Sequence, residues 1–167
     1  MNIRISGIVA ESIVDGPGFR YTLFVQGCPH NCLGCHNPQT HNFYGGYDKD
    51  TDEIMAEILE NPLLDGVTFS GGEPMCHAKT LAVLAEEIHK SGLDVISYTG
   101  YTIEYLMEHA NDCNGYMDLL NEIDYLIDGP FIMALKSYEC RFRGSTNQRI
   151  IDVKRTLSEG EVIEADI

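Results

Sequence analysis

Positive charge is scarce in this 167-residue sequence: 11 lysines and arginines stand against 26 aspartates and glutamates, a formal net charge of −15. Such a surplus repels nucleic-acid phosphates and anionic membrane surfaces, which speaks against a DNA-binding module unless the few cations cluster. Long apolar stretches are also missing. No run approaches the roughly 18 residues of a membrane span, and Met1-Asn2-Ile3-Arg4-Ile5-Ser6-Gly7 lacks the continuous apolar core of a signal peptide. There is no internal repeat, linker or low-complexity segment. Nothing resembles a Ser-His-Asp constellation, so hydrolase chemistry has no support. These absences predict a cytoplasmic protein with reduced thiols.

What is present is a globular composition, 44% hydrophobic and 22% charged. The length predicts one domain, residues 1–167, with a sizeable core. Strands are predicted at 21–26, 66–70, 93–98 and 123–127, with a further one at 150–153. A helix is predicted over 51–60, where Asp50 and Glu53 form a capping box and Asn61-Pro62 stops the chain. A second presents Leu81, Leu84, Ala85 and Ile88 and ends at Gly92; a third follows a Thr102 cap through Ile103, Leu106 and Met107. The repeated β-α order implies an α/β fold with parallel strands and right-handed crossovers. The chain is too short for an eight-fold barrel, which leaves an open sheet or an incomplete barrel. The loops 27–38, 71–74, 99–101 and 128–130 all follow strands, so they converge at the carboxyl ends of one sheet.

The most informative of these loops is Cys28-Pro29-His30-Asn31-Cys32-Leu33-Gly34-Cys35. Three of the six cysteines crowd into it, as metal ligands do in a reducing compartment. Three thiolates can hold three irons of a cubane cluster and leave the fourth iron open to a small molecule. Zinc is the competing reading, with His30, His36 or His41 completing a tetrahedral site, and a disulfide is the third. In Gly71-Gly72-Glu73-Pro74, two glycines let the backbone turn sharply and offer hydrogen bonds to an amino-acid head group. Glu73 either receives a substrate ammonium or caps the next helix, and a plain strand-to-helix turn explains the same residues.

Together, Cys28-x3-Cys32-x2-Cys35 after one strand and Gly71-Gly72-Glu73-Pro74 after the next resemble the radical S-adenosylmethionine superfamily. The segments Asp15-Gly16-Pro17-Gly18-Phe19-Arg20, Ser97-Tyr98-Thr99-Gly100-Tyr101, Asp128-Gly129-Pro130-Phe131 and Arg143-Gly144-Ser145-Thr146-Asn147-Gln148 are closer still. They resemble the short glycyl-radical activases of anaerobic ribonucleoside-triphosphate reductase. The resemblance implies a partial parallel (β/α) barrel and a [4Fe-4S] cluster on Cys28, Cys32 and Cys35. S-adenosylmethionine would chelate the open iron and touch Gly34, Cys35, His36, Gly71, Gly72 and Glu73; many relatives carry an aromatic residue where His36 stands. One electron, from a low-potential donor such as flavodoxin or ferredoxin, would cleave the sulfonium to methionine and a 5′-deoxyadenosyl radical that takes a hydrogen atom from a glycine of the reductase. No side chain is required as acid or base. The alternatives are an activase of pyruvate formate-lyase, a small radical enzyme acting on a metabolite, which normally needs more barrel, and a nonenzymatic zinc or electron-transfer module.

Cys76, Cys113 and Cys140 are scattered and read as small buried hydrophobes or surface thiols, and His77, His89 and His109 as ordinary helix residues. Lys136, Arg141, Arg143, Arg149, Lys154 and Arg155 form a basic island opposed only by Glu139 and Asp152. It reads either as a docking surface for an acidic donor or reductase, or as a solvated face.

Overall fold

A computed structural model describes residues 1–167. Its strands are β1 (Asn2–Ser12), β2 (Arg20–Val25), β3 (Tyr47–Asp50), β4 (Gly66–Gly71), β5 (Asp94–Tyr98), β6 (Tyr125–Asp128) and β7 (Arg149–Asp152). They form one sheet in the order β3-β1-β2-β4-β5-β6-β7. The helices are α1 (Thr51–Glu60), α2 (Ala78–Lys90), α3 (Ile103–His109), α4 (Tyr116–Leu120) and α5 (Val153–Glu159). No helix is long and apolar enough to cross a membrane.

The centre β2-β4-β5-β6 is parallel, as the β-α alternation predicts. These strands read as continuous apolar runs because helices and loops cover them: Leu23, Val25, Val67, Phe69 and Val95 are all fully buried. From α1 and α2, Ile54, Ile58, Leu81, Leu84 and Ile88 complete the same core. The flanks depart from the expected parallel barrel. Strand β1 runs antiparallel to β2 and β3, and β7 antiparallel to β6, so the sheet is mixed and open at β3 and β7. The strand expected at 150–153 exists, but the segment before it contains no α-helix to carry a crossover, so the chain returns as a hairpin with Asp128 opposite Arg149. Strand β1 escapes sequence detection because strict alternation of burial is confined to its first residues, around Ile3 and Ile5.

Local signals hold at the helix ends with one change. Asp50 caps α1 by accepting from Asp52 N at 2.8 Å, and the reciprocal bond from Glu53 is not formed. Thr102 caps α3 through Tyr105 N, and Gly92 takes the left-handed conformation just past α2.

Candidate functional site

The loops leaving the adjacent parallel strands β2 and β4 lie against each other. Glu73 N donates to Gly27 O, and Gly72 N to Val25 O, each at 2.8 Å. A Cβ on Gly72 would be driven into the Gly27 carbonyl oxygen and would lie 3.1 Å from Gly27 N. The glycine is therefore required by the contact between the two loops, whereas the sequence left a structural turn and a ligand contact both open. The Gly72 carbonyl accepts no hydrogen bond from the protein, which leaves an acceptor for an ammonium group at the strand end.

Glu73 is fully buried and its carboxylate is occupied. Oε2 accepts from Met75 N at 2.9 Å, which caps the short turn Pro74–His77. Oε1 accepts from Thr99 Oγ1 and Gly100 N, each at 2.8 Å, and pairs with His30 Nε2 at 2.6 Å. Of the two roles open in sequence, Glu73 here performs the capping one, and it ties together the loops after β2, β4 and β5. His30 packs edge-on against Tyr101, ring centroids 4.4 Å apart. The sequence offered His30 only as a zinc ligand; a histidine inside the cysteine spacer was the available signal, and its carboxylate partner lies 43 residues away.

Cys28, Cys32 and Cys35 are free thiols, all half-buried. Asn31 and Gly34 adopt left-handed backbone conformations, φ 51° and 75°, which coil the loop. Cys35 N donates to Cys32 O, and Asn37 N points at Cys35 Sγ from 3.4 Å. Burial pushes the Cys28 thiol up to about 11; the negative ends of Glu73, Cys32 and Cys35 add to this, and a main-chain bond from His30 opposes it.

Three free thiols in one loop are a donor set a cubane can take, each thiolate holding its own iron. His30 is engaged by Glu73, and His36, exposed, tilts against Phe131 with centroids 5.2 Å apart. His41 lends its carbonyl to Cys28 N. His41 Nε2 and Asn147 Oδ1 are buried without partners, and each belongs to a segment bordering the cysteine loop.

The 131–148 loop packs on that side. Met133 covers Gly34, its Cε 2.6 Å from where a Cβ would stand, and Phe131 lies between His36 and Gly144. The family-like segment at 143–148 is the latch of this loop: Gln148 Oε1 accepts from Gly144 N and Ser145 N, Gln148 Nε2 donates to Gly129 O, and Asn147 Nδ2 donates to Pro130 O.

The remaining candidates are not brought to the site as ligands. Cys76 and Cys113 are surface thiols lining one pocket of about 360 Å³, and Cys140 is half-buried. One side of Cys76 reaches solvent, but the protein beneath it pushes its thiol up to about 12. His89 and Lys154 both bond Asp124, and His77 bonds Gln26 O. A cavity of about 620 Å³ lies against β1, β3 and α1 and includes no residue of the cysteine loop.

Comparison with known proteins gives the family. The family described as a 4Fe-4S single cluster domain matches residues 14–151. The anaerobic ribonucleoside-triphosphate reductase-activating protein of Salmonella typhi is 35% identical over 144 residues, 81% of this chain and 90% of its own. This chain belongs to that activating-protein family. The pyruvate formate-lyase-activating enzyme of Clostridium pasteurianum is 34% identical to this member over 117 residues, 65% of this chain and 49% of that enzyme. The solved structure of QueE from Escherichia coli matches 61% of this chain and 54% of its own at 20% identity, with a TM-score of 0.49. As a radical S-adenosylmethionine activase, a member of the activating-protein family carries a [4Fe-4S] cluster.

Proposed function

We propose that this protein activates anaerobic ribonucleoside-triphosphate reductase, acting in the cytoplasm as a single domain of residues 1–167, with β2, β4, β5 and β6 as the arc of a partial (β/α) barrel. Cys28, Cys32 and Cys35 hold the [4Fe-4S] cluster, and S-adenosylmethionine binds beside it. Bound there, the cluster and S-adenosylmethionine would supply one-electron reductive cleavage of the sulfonium, the chemistry by which a hydrogen atom would be taken from a glycine of the reductase. The electron comes from a low-potential carrier of the flavodoxin or ferredoxin class.

The observation that carries this reading is the backbone interlock of the cysteine loop with Gly71-Gly72-Glu73, in a chain related over most of its length to named activating proteins. The residues bind and orient. The unpaired Gly72 carbonyl accepts from the S-adenosylmethionine ammonium, Gly34, Cys35, His36 and Gly71 border the ligand, and Glu73 acts from behind by fixing three loops. Phe131 and Met133 limit water on the side they cover. The pyruvate formate-lyase-activating relative keeps a second partner in view, although that enzyme is about twice as long as the matched region.

The test is anaerobic reconstitution with iron and sulfide, followed by a 5′-deoxyadenosine assay with and without the reductase. A brown protein that forms 5′-deoxyadenosine and raises a glycyl-radical signal on the reductase is expected. Cys28→Ala, Cys32→Ala or Cys35→Ala should abolish both, and Cys76→Ser, Cys113→Ser or Cys140→Ser should spare both. A colourless zinc protein without 5′-deoxyadenosine would overturn the reading.

A further inference from the structure

We infer that the outer face of the 131–148 loop, together with the exposed tip of the cysteine loop, is the docking surface for the protein substrate, and that it takes an acidic surface carrying apolar side chains. This rests on the activase reading above and adds where, and by what chemistry, the substrate seats.

The basic island of the sequence does not survive folding as one unit. Arg149 is taken by Asp128 and Glu104, Lys154 by Asp124 and Arg155 by Glu159. Arg4, Arg20, Lys49 and Lys90 are likewise paired. Only Lys79, Lys136, Arg141 and Arg143 lack a carboxylate partner, and three of these four lie in one loop. Lys136 and Arg141 sit over the rings of Tyr138 and Phe142 instead. With Glu139 as its single acid, the loop carries +2 while the rest of the chain carries −17. A local field of this kind steers an acidic partner to one face of a molecule that otherwise repels it.

The same face is apolar where it meets the site. Leu33, between two cluster cysteines, is 79% exposed, and Met133, which covers Gly34 beside it, is 49% exposed; Ile132, Leu135 and Tyr138 are exposed as well. A patch of exposed aliphatic and aromatic side chains rimmed by cations is the composition of an interface. The loop is also built to hold its shape. Ile132 N donates to Ser145 Oγ, Thr146 N to Leu135 O, and Gln148 caps Gly144 and Ser145. The Tyr98 hydroxyl holds the Phe142 carbonyl at 2.6 Å while Phe142 sits in the left-handed region at φ 63°, a strained turn that displays Arg141 and Arg143 on either side.

Apolar content favours the substrate protein over the electron donor. Hydrogen-atom abstraction needs the glycine in contact with the reacting carbon and water excluded, whereas an electron carrier needs only a brief approach across a small interface.

The experiment uses the reconstituted protein carrying Lys136→Glu, Arg141→Glu and Arg143→Glu together, and separately Leu135→Ser. Four quantities are read: partner-free 5′-deoxyadenosine formation with dithionite, the same with flavodoxin, binding to the reductase with glycyl-radical yield, and the salt dependence of that binding. The charge-reversed protein should form 5′-deoxyadenosine within twofold of the unaltered protein, bind the reductase at least tenfold more weakly and lose the salt dependence. Leu135→Ser should weaken binding several-fold and keep the salt slope. Unaltered binding and radical yield in both variants would overturn the docking surface while leaving the activase reading intact. Loss confined to flavodoxin-driven turnover would assign the face to the donor, and a dimer dissolved by the charge reversal would assign it to a second copy; either overturns the inference. If the unaltered protein cleaves S-adenosylmethionine but leaves the reductase without a glycyl radical, the activase reading fails and the docking surface with it.

Discussion

Gly72 and His30 hold the two halves of the site in contact, one by having no side chain and the other by reaching across. Because a Cβ on Gly72 meets the Gly27 backbone, Gly72→Ala should lower iron content and thermal stability together. Iron and sulfide analysis beside a thermal melt tests this, and full iron loading with selective loss of S-adenosylmethionine binding would show that the missing side chain serves the ligand and not the loop contact. His30→Ala removes one of four donors to a buried carboxylate, for which a cost of about 1–2 kcal/mol is expected. His30→Gln, whose amide can still donate to Glu73, should recover about half of the lost melting temperature. If the two variants melt alike, the pairing contributes nothing. The three cysteines proposed to hold the cluster stand out in the sequence because all lie within eight residues. The carboxylate partner of His30 does not, because a hydrogen bond across 43 residues leaves no local pattern.

At the scale of elements, the departure from an all-parallel sheet is what places the 131–148 loop at the site. Strand β7 pairs antiparallel with β6, so the loop begins and ends at the same edge, at Asp128 and Arg149. A parallel β7 would have carried its start to the opposite end of the sheet. Gln148 closes this hairpin with three hydrogen bonds to Gly129, Gly144 and Ser145. Gln148→Ala should accelerate amide exchange in 131–148 by about tenfold or more, corresponding to loss of about 1.5 kcal/mol, with little change in α1 or α2. Exchange that rises uniformly over the chain would mean the latch supports the whole fold. Helices α1, α2 and α3 were readable, since their caps or apolar spacing are local; β1 was missed for weak alternation, and β3, α4 and α5 for being only four, five and seven residues long.

Across the whole molecule, the acidic excess is partly organised at the end of the sheet away from the cysteine loop. Asp124 precedes β6 and joins three elements, through His89 Nε2 at 2.7 Å, Val95 N at 2.8 Å and Lys154 Nζ at 2.8 Å. Burial alone would raise its pKa, but the bonds from Lys154, His89 and Val95 outweigh it and hold the carboxyl below its ordinary value. A depressed carboxylate stabilises the fold above its unfolded value, and this contribution is lost as pH falls through the folded one. Asp124→Asn should therefore lower the melting temperature by about 3–6 °C at pH 7, and the gap to the unaltered protein should narrow as pH drops below the ordinary aspartate value of 3.8. A gap that stays constant down to pH 3 would show that the ionised carboxylate contributes nothing.

The sequence by itself determined which residue types the candidate site gathers and the regular elements at its centre, because both depend on neighbours in the chain: three thiols in one loop, a glycine pair after a strand, apolar runs and caps. Only the tertiary structure decided which groups are committed and which remain free. It made Glu73 the joint of three loops, reversed β7, and neutralised half of the basic island through Arg149, Lys154 and Arg155. Pairing of this kind is set by distance in space between residues far apart in sequence, which no local spacing encodes.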